Sequence, residues 1–93
     1  MIRKELVAEV ADRTGLSQAS ADAAVDALLE VIVDEVSAGR PVTLTGFGTF
    51  EARERAARTG HNPRTGEPIQ IAAARVPAFK AGAKFRAQVN RPS

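Results

Sequence analysis

Apolar residues recur at helical spacing through the first third of the chain and switch to a two-residue alternation just beyond it. Ile2, Leu6, Val7 and Val10 share one face of a helix predicted over residues 2–13, which Thr14-Gly15 closes. A second helix is expected to start at Ser17, because its hydroxyl can accept from an unpaired amide of the first turn. Ala21, Val25, Leu28, Leu29, Ile32 and Val36 give that helix an apolar stripe, and Asp22, Asp26, Glu30 and Asp34 line another face. It runs to about Ala38, where Gly39 supplies a left-handed cap. A short connection makes the two helices a hairpin.

After Pro41 the period becomes two. Val42 and Leu44 alternate with Thr43 and Thr45, as in a half-buried strand. Gly46-Phe47-Gly48 reads as a turn, since glycine accepts the positive φ a turn requires. One long extended segment is expected from Thr49 to Thr59 and a return strand from Pro68 to about Phe79, with a loop over 60–66 between them. A last helix is predicted from Ala81 to Asn90, with Ala81, Phe85 and Val89 on one face, and residues 91–93 are expected to fray. No repeat, linker or low-complexity stretch divides the 93 residues, so a single domain is expected, with 1–46 mainly a body and 52–75 an arm.

The two sides of that arm are poor in anything that could make a core. Ala52, Ala56, Ala57, Ala72, Ala73 and Ala74 have low strand propensity and bury little area, leaving Ile69 and Ile71 as the large apolar residues. A two-stranded ribbon alone is marginal in water. Yet the segment is long and carries Arg53, Arg55, Arg58, Arg64 and Arg75. Small side chains, many arginines and no core describe an element that protrudes toward a partner; a surface hairpin with a loose tip is the alternative.

Charge supports the first reading without deciding it. The net charge is only +2, but residues 1–46 hold four bases against eight acids (−4), and residues 47–93 hold nine bases against three acids (+6). An anionic partner for the second half fits this split, as does an ordinary solvated face. Other chemistries lack their residues. Cysteine is absent, and the lone His61 sits in a glycine-rich loop, so no nucleophile–base pair or metal set can be assembled. Glu51 stands where a dinucleotide fingerprint needs its third glycine. No enzyme activity, cofactor, metal or small-molecule substrate is expected. The charged start Met1-Ile2-Arg3-Lys4-Glu5-Leu6 does not read as a signal peptide, and no apolar run approaches the ~20 residues of a membrane span, so a cytoplasmic location is expected.

Four motifs carry a resemblance: Gly46-Phe47-Gly48-Thr49-Phe50, Arg58-Thr59-Gly60, Asn62-Pro63-Arg64-Thr65-Gly66 and Val76-Pro77-Ala78-Phe79-Lys80-Ala81-Gly82. Together they resemble the bacterial HU and integration host factor family of DNA-architectural proteins over essentially the whole chain, the HU branch more than the site-specific branch. The resemblance implies an α+β fold: a helical hairpin, a three-stranded antiparallel sheet with a protruding β-ribbon arm, and a short C-terminal helix. It also implies an intertwined dimer with itself, or with a paralogue, around a core that includes Phe47, Phe50, Phe79, Leu29, Ile32, Val36 and Leu44. About 70 residues remain once the arm is set aside, a small body for four phenylalanines and two helical stripes, and a partner surface suits some of them.

Members of that family bind and bend double-stranded DNA and organise the nucleoid. They are known to place an apolar wedge between base steps of the minor groove, which implies that role for Pro63. Proline suits it physically, having a flat apolar ring, no N–H to leave unsatisfied and a preset φ. The groove is only about 6 Å wide, so a slim ribbon is needed to enter it. The resemblance further implies DNA contacts for Arg53, Arg55, Arg58 and Arg64, and the candidate set extends to His61, Asn62 and Arg75. Lys80, Lys84, Arg86, Arg3 and Lys4 either add phosphate contacts or serve as solubilising charges. His61 departs from many relatives, which carry arginine there, and Glu51, Glu54 and Glu67 place acids near the arm; a weaker electrostatic grip is expected. Two further readings remain open, a site-specific bender and a protein–protein module with a basic arm.

Overall fold

The structure, a computed structural model, describes residues 1–92. The expected fraying of Ser93 lies outside them. The chain divides into two compact units, Met1–Asp34 and the remainder from Glu35. The boundary falls inside the second helix.

The first unit is a helical hairpin. Helix α1 (Arg3–Thr14) ends at Gly15, whose φ of 75° lets its amide bond back to the Ala11 carbonyl. Helix α2 (Gln18–Ser37) starts where Ser17 caps it: the Ser17 hydroxyl accepts from the Ser20 amide at 3.1 Å. Val7 of α1 and Ala21 of α2 are the buried apolar residues of this unit. Across the hairpin Arg3 pairs with Asp22 at 2.9 Å and Asp26 at 3.2 Å.

The second unit opens on the C-terminus of α2. The Gly39 amide bonds to the Val36 carbonyl and the Arg40 amide to the Glu35 carbonyl, the paired pattern that a left-handed glycine permits. Arg40 also grips the Glu35 carboxylate with two hydrogen bonds, at 2.9 and 3.1 Å, and these hold the Glu35 carboxyl below its usual range. Strands β1 (Val42–Leu44), β2 (Gly48–Arg55) and β5 (Ala74–Ala81) form a three-stranded antiparallel sheet in the order β1-β2-β5. Strands β3 (Arg58–His61) and β4 (Pro68–Ile71) form a separate antiparallel ribbon between β2 and β5 in the chain, and helix α3 (Ala83–Val89) follows β5.

The single long strands expected on each side of the arm are therefore each broken in two, at Ala56-Ala57 and at Ala72-Ala73. Arg55 faces Ala74 before the gap and Arg58 faces Ile71 after it, so two residues are skipped on both sides and the register is kept. No bulge causes the break. Alanines lack the branched or aromatic side chains whose cross-strand contacts stabilise a pair. The last helix also starts later than expected, because Ala81 is taken into the sheet opposite Gly48.

Residues directly opposite in a sheet share a face. Val42, Phe50 and Phe79 thus lie on one face, which joins Phe47 and Phe85 in an aromatic cluster with ring centres 4.8 Å apart for Phe50–Phe79 and 5.1 Å for Phe47–Phe85. The glycines make this possible. A Cβ on Gly48 would lie 2.6 Å from both the Lys80 carbonyl oxygen and the Phe79 ring, and one on Gly82 would meet the Gly46 carbonyl at 3.0 Å. The Gly82 amide bonds to the Phe47 carbonyl at 2.8 Å, which ties the 46–48 turn to the start of α3.

Candidate nucleic-acid interface

The opposite face of the sheet is polar and basic. Thr49, Glu51, Arg53 and Arg55 of β2 alternate onto it, and Lys80, opposite Thr49, joins them. Arg53, Arg55 and Lys80 are exposed. The sheet therefore separates an aromatic face from a cationic one by strand alternation alone. Arg53 is paired with Glu51, at 3.3 Å, whereas Arg55 and Lys80 have no ion-pair partner among the described residues. Glu51 can pair with Arg53 because two residues apart on one strand puts both on the same face.

Beyond the break, the ribbon presents Arg58 and Gly60 on the face of Ile71 and Ile69, and Thr59 and His61 on the face of Gln70 and Pro68. A Cβ on Gly60 would lie 2.9 Å from the Ile71 side chain, so Ile71 leans across the glycine. The tip is a closed loop. The Asn62 amide bonds to the Glu67 carbonyl at 2.8 Å and the Gly66 amide to the Asn62 carbonyl at 2.7 Å. The Asn62 side-chain oxygen accepts from the Arg64 amide at 2.8 Å, spanning Pro63, and Thr65 Oγ1 accepts from the Glu67 amide at 3.3 Å. Gly66 turns the chain with φ at 74°. Pro63 and Arg64 are exposed at the apex. Thr65 was not a candidate site residue in the sequence; a hydroxyl two residues before Glu67 was the available signal for a local turn.

Not every candidate joins this surface. Arg75 sits opposite Glu54 on the aromatic side of the sheet, and its guanidinium donates to the Ser37 carbonyl at 3.4 Å. Arg3 is held by Asp22 and Asp26; the Asp22 hydrogen bond, ahead of the neighbouring charges, raises its pKa further. Lys4 is exposed in the first unit. On α3, the Lys84 stem runs beside Gly46, 3.5 Å from where a Cβ would stand, and Arg86 is exposed. Of the expected core, Ile32, Val36 and Phe50 are half-buried, while Leu29, Leu44, Phe47 and Phe79 remain exposed in the single chain.

A helical hairpin, a sheet with a cationic face and a slim ribbon with a closed proline tip define an α+β protein built to offer a basic arm. The sequence profile described as "Bacterial DNA-binding protein" matches residues 1–90, and the chain belongs to this family, with the HU proteins. It is 51% identical over 92 residues to the DNA-binding protein HU of Nostoc, covering 99% of this chain and 98% of that one. Against the DNA-binding protein HU of Lactococcus lactis the identity is 56% over 80 residues, covering 86% and 88%. Among solved structures it matches the Anabaena HU–DNA cocrystal structure with a TM-score of 0.92 and 51% identity, over 99% of this chain and 100% of that one. HU from Thermotoga maritima matches with a TM-score of 0.69 and 26% identity, over 97% and 100%. The resemblance read from the four motifs and the α+β architecture expected from it both hold.

Proposed function

We propose that this protein is a dimeric, non-enzymatic DNA-architectural protein that binds duplex DNA with little regard to sequence, bends it, and helps to organise a bacterial nucleoid in the cytoplasm. The observation that carries the reading is the full-length match to an HU chain solved with DNA, in a structure whose ribbon and tip have the chemistry that such binding needs. Arg55, Arg58, Arg64 and Lys80, with Arg53, His61 and Asn62, supply phosphate and groove contacts along the arm, and Lys84, Arg86 and Lys4 add phosphate contacts outside it. Binding of this kind releases counterions and depends little on base edges. Pro63 supplies the wedge: the loop closed by Asn62, Thr65 and Gly66 holds it at the apex, and unstacking costs a few kcal/mol that wider contact with bent DNA offsets.

Dimerisation rests on what the single chain leaves uncovered. Val33 is 61% exposed, Val31 57%, Leu28 53% and Leu29 47% on α2, and Phe47 is 46% and Phe79 41% exposed in the second unit. In this reading residues 1–46 are mainly the dimerisation body and 52–75 the DNA-binding arm.

A salt titration of binding to several unrelated duplexes tests the function. Similar affinities with a steep negative log–log slope are expected. A flat salt response overturns the reading, and a preference above about 10³-fold for one sequence replaces it with a site-specific bender.

A further inference from the structure

The cationic face carries one acid, and it is placed where it interferes. Glu51 and Arg53 are two apart on β2, on the face shared with Arg55 and Lys80. The Arg53 guanidinium turns back along the strand to the Glu51 carboxylate, with Nη2 at 3.3 Å and Nε at 3.4 Å. The Glu51 side chain is 34% exposed and that of Arg53 59%, so the carboxylate is the more shielded member and the arginine the more exposed one. Both contacts go to Oε1, so the Nε–Nη2 edge of the guanidinium is turned to the carboxylate and cannot at the same time be given to a phosphate, while the Nη1 end stays free.

We propose that Glu51 is an affinity-setting residue of the DNA-binding face: it holds Arg53 in an intramolecular ion pair that must open before the Nε–Nη2 edge of Arg53 can grip a phosphate. The inference rests on the DNA-binding reading above. Arg55, unpaired on the same face, is available at no such cost, so two arginines two residues apart contribute unequally to binding. The carboxylate left behind when Arg53 swings out also faces the incoming phosphates, which adds to the penalty. An exposed pair of this kind is weak, so the whole effect is on the order of two- to fivefold in affinity. The acid thus trims the grip without removing a cation from the surface.

A double-mutant cycle on the full chain decides it, using Glu51→Gln, Arg53→Ala and both together, with Glu54→Gln as a charge-matched control on the other face of β2. Affinity for a duplex is measured by fluorescence anisotropy across a salt series. Glu51→Gln is expected to tighten binding by about two- to fivefold, more than Glu54→Gln does, and most of that gain disappears when Arg53 is replaced by alanine. Arg53→Ala in turn costs more in the Glu51→Gln background than in wild type. A gain from Glu51→Gln that matches Glu54→Gln, or that survives Arg53→Ala undiminished, overturns the proposal and leaves only general charge repulsion. Failure of the wild type to bind with a steep salt slope overturns the functional reading instead, so the two failures are distinct.

Discussion

Replacing Arg75 by alanine separates an anchor of the sheet from a contact of the DNA. The Arg75 guanidinium donates to the Ser37 carbonyl at 3.4 Å and lies 3.8 Å from where a Cβ on Gly39 would stand, so it covers the end of α2. The last turn of α2 has no basic residue of its own, and Arg40 is committed to Glu35. A cation at a helix C-terminus contributes about 0.3–1 kcal/mol, and a long, exposed hydrogen bond to a free carbonyl adds a fraction more. The loss should be about 1 kcal/mol, equal to a fall in Tm of about 4–8 °C for a chain of this size. Circular dichroism melts read that directly. In the same variant, the salt slope of duplex binding should stay at the wild-type value, whereas Arg55→Ala, which removes one cation from each arm of the dimer, should lower it by about 1.8. An unchanged Tm together with a slope lowered by about as much would refute the assignment and put Arg75 among the phosphate contacts.

Two further substitutions probe the body. Gly48→Ala would drive a methyl group to 2.6 Å from the Lys80 carbonyl and the Phe79 ring, where backbone cannot yield; a loss of about 1–3 kcal/mol is expected, and a fall in Tm of less than about 4 °C would contradict it. Leu29→Glu places a charge in the exposed stripe of α2 that the dimer would cover, and sedimentation equilibrium at micromolar concentration should show a dimer for wild type and dissociation for the variant. A wild-type monomer under those conditions would remove the dimer from the account.

The hairpin was legible because its signals are local. Ser17 caps α2 and Gly39 ends it as their chemistry dictates, with no help from distant residues. The tip was legible for the same reason, since Asn62, Thr65 and Gly66 bond only to neighbours. The arm itself was legible in composition but not in continuity. Alanine content announced a ribbon without a core, yet the break at Ala56-Ala57 opposite Ala72-Ala73 depends on both strands at once. Face assignments were lost for a related reason. Arg53, Arg55 and Arg75 look alike along the chain, and only the register shows that Arg75 lies on the aromatic side, while Glu51 and not Glu54 shares the face of Arg53. The ion pairs of Arg3 were not legible because its partners, Asp22 and Asp26, come from another helix.

The central claim is that the arm bends the duplex through Pro63. Fluorescence energy transfer between dyes at the two ends of a short duplex, measured at saturating protein, tests it most directly. The account predicts that wild type raises the transfer and that Pro63→Ala, binding with nearly the same affinity and salt slope, raises it much less. Wild-type protein that saturates the duplex while leaving the transfer unchanged, or a Pro63→Ala variant that bends it equally, would contradict the account.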